Sequence, residues 1–151
     1  MELVYLGLGS NLNHPQHQLN KALQTLANYN GIKLHQVSSF YQTKPLNNAN
    51  QPDYLNAVAE LSCKYQPLEL LDILQNIETM QGRIRSDIRW SSRTLDLDLL
   101  LFGKRIINHP RLIIPHYQMH LRHFVLQPLY EIAPNLSLPN GQKCKDLLAK
   151  L

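Results

Sequence analysis

Thr94-Leu95-Asp96-Leu97-Asp98-Leu99-Leu100-Leu101-Phe102 is the stretch on which the reading of this chain turns. It holds two carboxylates two residues apart in an otherwise apolar run. A β-strand repeats its facing every second residue, so Asp96 and Asp98 share one side, with Cα atoms about 6.6–7 Å apart. The unbroken apolar run at 99–102 predicts a strand buried on both faces, as central strands are. Aspartate is a poor strand former. Two like charges on one buried face are costly unless something positive lies between them. A hard divalent cation bound through oxygen, magnesium above all, meets that need. Paired ions about 3.5–4 Å apart recur in in-line phosphoryl chemistry, and an Asp-x-Asp pair can bridge two of them.

Just upstream, Arg83, Arg85, Arg89 and Arg93 flank Trp90, the one tryptophan. Residues 83–94 predict a polar loop, long by ordinary standards and therefore functionally suspect. Guanidinium groups grip phosphate oxygens bidentately. An indole among them suits a lid or a stacking role. Arg93, three residues before Asp96, belongs nearest the metal. Carboxylates for metal, guanidiniums for phosphate and an indole for stacking make a nucleotide-polyphosphate site. In the histidine-rich stretch after Pro115 a zinc ligand pattern is missing, and His116 suits phosphate hydrogen bonding better.

Moving outward, residues 2–8 predict a strand, and Gly7-Leu8-Gly9-Ser10-Asn11 a tight turn after it. That turn lacks the Gly-Lys-Ser/Thr ending of a P-loop and the third glycine of a dinucleotide fingerprint. Pro15 opens an amphipathic helix over 15–29, capped by Asn13 or His14 and stopped at Asn30-Gly31. Leu19, Ala22, Leu23, Leu26 and Ala27 form its apolar stripe. Residues 32–42 predict a strand and 43–52, rich in Pro and Asn, a loop. Residues 54–63 predict a strand of near-alternating polarity. Pro67 starts a second helix over 67–81, with Leu68, Leu71, Leu74 and Ile77 inward. The strand at 95–102 follows. Beyond it come a turn at Gly103-Lys104, a short returning strand at Ile106-Ile107, and helices over 119–131 and 142–150. Strand, helix, strand, strand, helix, strand is the ferredoxin-like α+β order, a βαββαβ core whose antiparallel sheet carries helices on one face.

The 151 residues are 44% hydrophobic and 17% charged, which predicts one folded domain over 1–151. A net charge of +4 favours anionic partners. All seven arginines lie between positions 83 and 122, and the first eighty residues carry only lysines as cations. That asymmetry points to a local anion site more than to a basic surface. Cys63 and Cys144 lack metal-ligand spacing and read as thiols in a reducing compartment. The N-terminus reads as a strand and not as a signal peptide, and no segment approaches the roughly 18 apolar residues of a membrane span. A soluble cytoplasmic protein is expected.

Read in order, these pieces resemble the 6-hydroxymethyl-7,8-dihydropterin pyrophosphokinases of folate biosynthesis. The resemblance runs from Gly9-Ser10-Asn11 to Glu131-Ile132-Ala133-Pro134. Between them stand Ser38-Ser39-Phe40-Tyr41 with Thr43, Gln51-Pro52-Asp53-Tyr54-Leu55-Asn56-Ala57, Glu78 with Gly82-Arg83, Arg93-Thr94-Leu95-Asp96-Leu97-Asp98, and Pro115-His116-Tyr117. The resemblance implies a ferredoxin-like fold and pyrophosphoryl transfer from MgATP to the 6-hydroxymethyl group of the pterin, releasing AMP. It implies that Asp96 and Asp98 bind two magnesium ions, and that Arg83 and Arg93 close over the triphosphate. It places His116, Tyr117 and Arg122 at the nucleotide, with Gln75, Glu78, Arg85, Trp90, Leu99, Arg111, Leu112 and Ile113 in the ATP pocket. Thr43, Leu46, Tyr54, Asn56, Trp90, Asp96 and Phe124 fall at the pterin pocket, with Tyr54 and Phe124 sandwiching the ring and Asn56 reading its polar edge. A monomer without fused aldolase or synthase domains is expected. Two positions depart from the family pattern. Trp-Gly-Pro-Arg stands here as Trp90-Ser91-Ser92-Arg93, which removes a preset turn, and Lys44 replaces a common proline.

Two other readings fit parts of the pattern. A two-metal nucleotidyl transferase or nuclease would need a basic track across a face, which the clustered arginines do not form. A ferredoxin-like nucleic-acid-binding module needs aromatic residues on its sheet strands and has no use for Asp-x-Asp. Tyr54 and Phe124 lie too far apart in sequence to form that aromatic pattern.

Overall fold

A computed structural model describes residues 1–44, 53–82 and 94–151. Along the chain run β1 (Val4–Ser10), α1 (Pro15–Ala27), β2 (Ile32–Val37), β3 (Tyr41–Thr43), β4 (Tyr54–Cys63), α2 (Pro67–Met80), β5 (Asp96–Phe102), β6 (Ile107–His109), β7 (Leu112–Ile114), α3 (His123–Ile132) and α4 (Cys144–Ala149). The main sheet has the order β2-β4-β1-β5, every pairing antiparallel, with β3 continuing beside β4. Each strand-helix-strand unit leaves a gap that a strand of the other unit fills. That is the ferredoxin-like arrangement expected from the element order.

Side-chain alternation divides the core in two. Leu6, Leu8, Ala57, Ala59, Leu97 and Leu99 face α1 and α2, whose Leu19, Leu26, Leu70 and Leu74 are buried against them. Tyr5, Val58 and Leu100 face the opposite way and meet Leu126 and Leu129 of α3 and Leu147 of α4. Helices thus cover both faces, where one covered face was expected. The second layer comes from the last third of the chain, outside the six-element core. It also explains why β4 is buried at eight consecutive positions instead of alternating.

Strand β5 corrects a second expectation. It is buried on both faces over its second half, yet it stands at the end of the sheet and pairs only with β1 among the described strands. Its outer edge is satisfied by other means. Glu78 of α2 accepts a hydrogen bond from the Leu97 amide at 2.7 Å, and the His116 amide donates to the Leu100 carbonyl at 3.0 Å. Residues 107–114 fold into a β6–β7 hairpin rather than a single short strand. The four residues between Pro110 and Pro115 carry too short a pattern for the three of β7 to be read as a strand.

Gly9 and Ser10, expected in a turn, continue β1, because β4 pairs with both and β5 pairs with Gly9 from the other side. The stretch read as one strand over 32–42 breaks at Ser38-Ser39-Phe40. Ser38 keeps the ladder closed there: its amide donates to the Val58 carbonyl and its hydroxyl accepts from the Val58 amide, both at 2.9 Å. The helix expected over 119–131 is a single 3-10 turn at Met119–Leu121 followed by α3.

Candidate active site

Register builds the site. Asn56 on β4, Gly9 on β1 and Asp96 on β5 lie directly opposite one another, and so do Val58, Gly7 and Asp98. Directly opposed residues point to the same face, here the face that carries α3. Gly7 and Gly9 put no side chain between their neighbours, so a hollow opens in the sheet surface. A Cβ on Gly9 would stand 3.0 Å from Asn56 Oδ1, and one on Gly7 would stand 3.6 Å from Leu100 and 3.8 Å from the Asp98 Cβ.

The hollow is the floor of a first cavity of about 190 Å³. The cavity is lined by Thr43 and Lys44 at the end of β3, by Tyr54, Asn56 and Ala57 of β4, by Arg122, Phe124 and Val125 at the start of α3, and by Asp96 and Asp98 of β5. Asn56 Nδ2 donates to Thr43 Oγ1 at 2.7 Å, which leaves Asn56 Oδ1 beside Gly9. Phe124 lies in the first turn of α3, and the Arg122 guanidinium lies 5.5 Å from the centre of its ring. Arg122 also donates to the Gln118 side chain. A flat aromatic molecule with a polar edge suits a cavity lined by the rings of Tyr54 and Phe124 and by the Asn56 carboxamide.

A second cavity, about 320 Å³, runs along the outer edge of β5. It is lined by Leu71, Gln75 and Glu78 of α2, by Pro110, Arg111, Leu112 and Ile113 of the hairpin, by His116 and Tyr117, and by residues 96–99. Arg111 is held by Asp72 and by Gln75 Oε1, the latter at 3.3 Å. The rings of His116 and Tyr117 stack with centroids 5.1 Å apart. Burial pushes the His116 imidazole down to about 4, helped by the positive charge of Arg122 and opposed by Asp96. His116 is therefore neutral near pH 7. Its Nδ1 accepts from the Gln118 amide at 3.3 Å, which assigns the proton to Nε2.

Asp96 and Asp98 belong to both cavities. Both are half-buried. Among the described residues no group of three or more His, Cys, Asp and Glu side chains could enclose a metal ion. Two carboxylates offering oxygen alone fit magnesium, which keeps waters and substrate phosphates in its shell, and do not fit a closed zinc site.

Of the expected pterin-side residues, Thr43, Tyr54, Asn56, Asp96 and Phe124 line the first cavity. Of the expected nucleotide-side residues, Gln75, Glu78, Leu99, Arg111, Leu112, Ile113, His116 and Tyr117 line the second. Arg122, expected on the nucleotide side, lines the first cavity instead. The start of α3 carries it there beside Phe124. Leu46, Arg83, Arg85, Trp90 and Arg93 lie outside the described residues. Sequence reading missed Gly7, Leu8, Gly9, Lys44, Ala57 and Val125 in the first cavity and Leu71, Leu97 and Pro110 in the second. A signal existed for the glycines, since two of them spaced by two inside an apolar strand mark a close approach.

Residues 5–134 match the family described as 7,8-dihydro-6-hydroxymethylpterin-pyrophosphokinase (HPPK). The chain is 52% identical over 148 residues to the 2-amino-4-hydroxy-6-hydroxymethyldihydropteridine pyrophosphokinase of Haemophilus influenzae, covering 98% of this chain and 92% of that one. It is 48% identical over 149 residues to the protein of the same name from Pseudomonas aeruginosa, covering 99% and 91%. In fold it is similar to the crystal structure of Plasmodium falciparum HPPK-DHPS with pteroate, at a TM-score of 0.78 and 13% identity, over 98% of this chain and 42% of that one. The chain thus spans less than half the length of that solved structure.

Proposed function

The chain belongs to the 7,8-dihydro-6-hydroxymethylpterin-pyrophosphokinase family, and we propose from that premise how its two cavities divide the family's reaction. The protein is an ATP-dependent diphosphokinase of folate biosynthesis that transfers pyrophosphate from ATP to hydroxymethyldihydropterin. The pterin occupies the first cavity, between the rings of Tyr54 and Phe124. Asn56, oriented by Thr43, reads its polar edge, and Leu46 and Trp90 complete the pocket. ATP occupies the second cavity. Leu99, Leu112 and Ile113 pack its base, Gln75, Glu78, Arg111 and Tyr117 line its nucleoside, and the Nε2–H of His116 donates to an oxygen of the nucleotide. Arg83, Arg85 and Arg93 grip the triphosphate, and Arg122 faces it from the pterin side.

The observation that carries this reading is that Asp96 and Asp98 line both cavities. A phosphoryl group passing from one cavity to the other passes these two carboxylates. They would hold two magnesium ions, which when bound neutralise phosphate charge as it develops. The substrate hydroxyl oxygen bonds to the β-phosphorus and gives up its proton to solvent, the bond from that phosphorus to the α–β bridging oxygen breaks, and AMP leaves. The chain's own part is positioning and cationic charge. Residues 1–151 act as one domain, as a monomer, in the cytoplasm. Cys63 and Cys144 are free and sit in separate clusters, consistent with a reducing compartment.

The test is AMP release from MgATP with and without 6-hydroxymethyl-7,8-dihydropterin. AMP should form only when the pterin is present, whereas transfer of the AMP group onto a nucleic acid with release of free pyrophosphate would mark a nucleotidyl transferase. Asp98→Ala should bind pterin as the wild type does while turnover falls by about a hundredfold or more. Unaltered turnover in that variant would remove the metal role from Asp98.

A further inference from the structure

The helix that carries Phe124 is tied to the opposite wall of the pterin cavity at a place far from the reactants. Glu131, on the last turn of α3, accepts hydrogen bonds from the Ser39 amide at 2.9 Å, from the Ser39 hydroxyl at 3.0 Å and from the Tyr41 hydroxyl. One residue on, the Ile132 carbonyl accepts from Gln36 Nε2 at 3.3 Å. Ser39 and Tyr41 belong to the broken stretch that ends in β3. Tyr41 and Thr43 are two residues apart on that strand and point to the same face. Tyr41 lies opposite Asn56 in the ladder, and Thr43 holds the Asn56 carboxamide. One end of the clip therefore acts on the residues that read the pterin edge, and the other on the helix that carries Phe124.

We propose that Glu131 is a positioning residue that sets the width of the pterin slot, by fixing α3 against β3. This rests on the placement of the pterin between Tyr54 and Phe124 given above. A helix rises about 1.5 Å per residue, so the carboxylate stands about 10 Å along α3 from Phe124 and touches no reactant. Strand β3 has only three paired residues, all on β4, so its relation to α3 depends on bonds of this kind. The fold does not depend on them. Glu131, Ser39 and Gln36 are exposed, and α3 is held to the sheet by the buried Val125, Leu126 and Leu129. The Tyr41 phenol, pushed up to about 12 mainly by its bond to Glu131, and the Glu131 carboxyl, held low first by the same bond, agree with a tight clip.

The experiment compares wild type, Glu131→Ala, Glu131→Gln, Tyr41→Phe and the double variant Glu131→Ala/Tyr41→Phe in the full chain. The dissociation constants of 6-hydroxymethyl-7,8-dihydropterin and of a non-hydrolysable ATP analogue are measured beside the thermal midpoint. Glu131→Ala should weaken pterin binding about tenfold and ATP binding less than twofold. Glu131→Gln, which keeps an acceptor for Tyr41, should recover part of the loss. The double variant should be no worse than Glu131→Ala alone, since the two residues share one contact. Pterin binding within twofold of wild type in Glu131→Ala, or equal losses for pterin and ATP, overturns the proposal. Asn56→Ala, run in parallel, separates the two levels. If it too leaves pterin binding unchanged, the placement of the pterin fails; if it alone weakens binding, only the role of Glu131 fails.

Discussion

Gly9→Ala adds one methyl group at the place where the sheet must stay bare. The new Cβ would stand 3.0 Å from Asn56 Oδ1, close enough that the carboxamide must give by a few tenths of an ångström. It cannot give freely, because Asn56 Nδ2 is already committed to Thr43 Oγ1 at 2.7 Å. The carboxamide must turn, and in the proposed placement of the pterin its bond to the ring edge misaligns. A lost or bent hydrogen bond costs about 1 kcal/mol, and crowding of one methyl adds about 1 kcal/mol more. Together they predict pterin binding about thirtyfold weaker. Global stability should change by less than about 1 kcal/mol, since the crowding is offset by the roughly 0.5–1 kcal/mol gained when a strand glycine is replaced by alanine and the unfolded chain loses entropy. The measurement is a pterin titration followed by fluorescence, with an ATP-analogue titration and a thermal melt on the same sample. Pterin affinity within twofold of wild type would refute the reasoning, as would a loss of ATP affinity as large as the loss for pterin. Gly7→Ala makes an internal comparison, because its Cβ meets Leu100 at an ordinary 3.6 Å.

Glu78 and His116 carry two further predictions. Glu78 is 2% exposed and satisfies the Leu97 amide between the two aspartates. Glu78→Ala leaves that amide unpaired in the interior, so the melting midpoint should fall by roughly 3–10 °C, and Glu78→Gln should restore most of it. An unchanged midpoint in the alanine variant contradicts this account of the strand edge. His116 should titrate near 4 in the metal-free protein, followed by NMR of its ring nitrogens. The unfolded chain takes up that proton near 6.5 and the native chain only near 4, so stability on this account declines as pH drops through that window and stays level below it. A midpoint above about 6 would show the ring to be solvated rather than buried.

The order of elements was legible because each rests on a pattern a few residues long. Helices α1 and α2 announce themselves by prolines at their starts and apolar stripes along one face. Asp96 and Asp98 were legible for a similar reason, since two charges in an apolar strand are costly wherever that strand lies. What escaped the sequence depends on partners far along the chain. Gly7-Leu8-Gly9-Ser10 reads as a turn until β4 and β5 pair with it from both sides. Strand β5 reads as central because its apolar run is continuous, while its actual cover comes from Glu78 and His116 at the edge and from helices on both faces. That Arg122 stands beside Phe124 is likewise decided by where the start of α3 is carried.

By itself the sequence determined the ferredoxin-like order, the presence of two carboxylates on one face of an apolar strand and, through motifs matched nearly end to end, the family. Those properties live in local periodicity and residue type. Only the tertiary structure decided that the two aspartates form the shared wall of two cavities, that Gly7 and Gly9 hollow the floor of one of them, and that Glu131 reaches across to Ser39 and Tyr41. Each of these is a relation between strands in register, or between a strand and a helix some ninety residues away. Such relations exist only once antiparallel pairing and burial have brought the segments together.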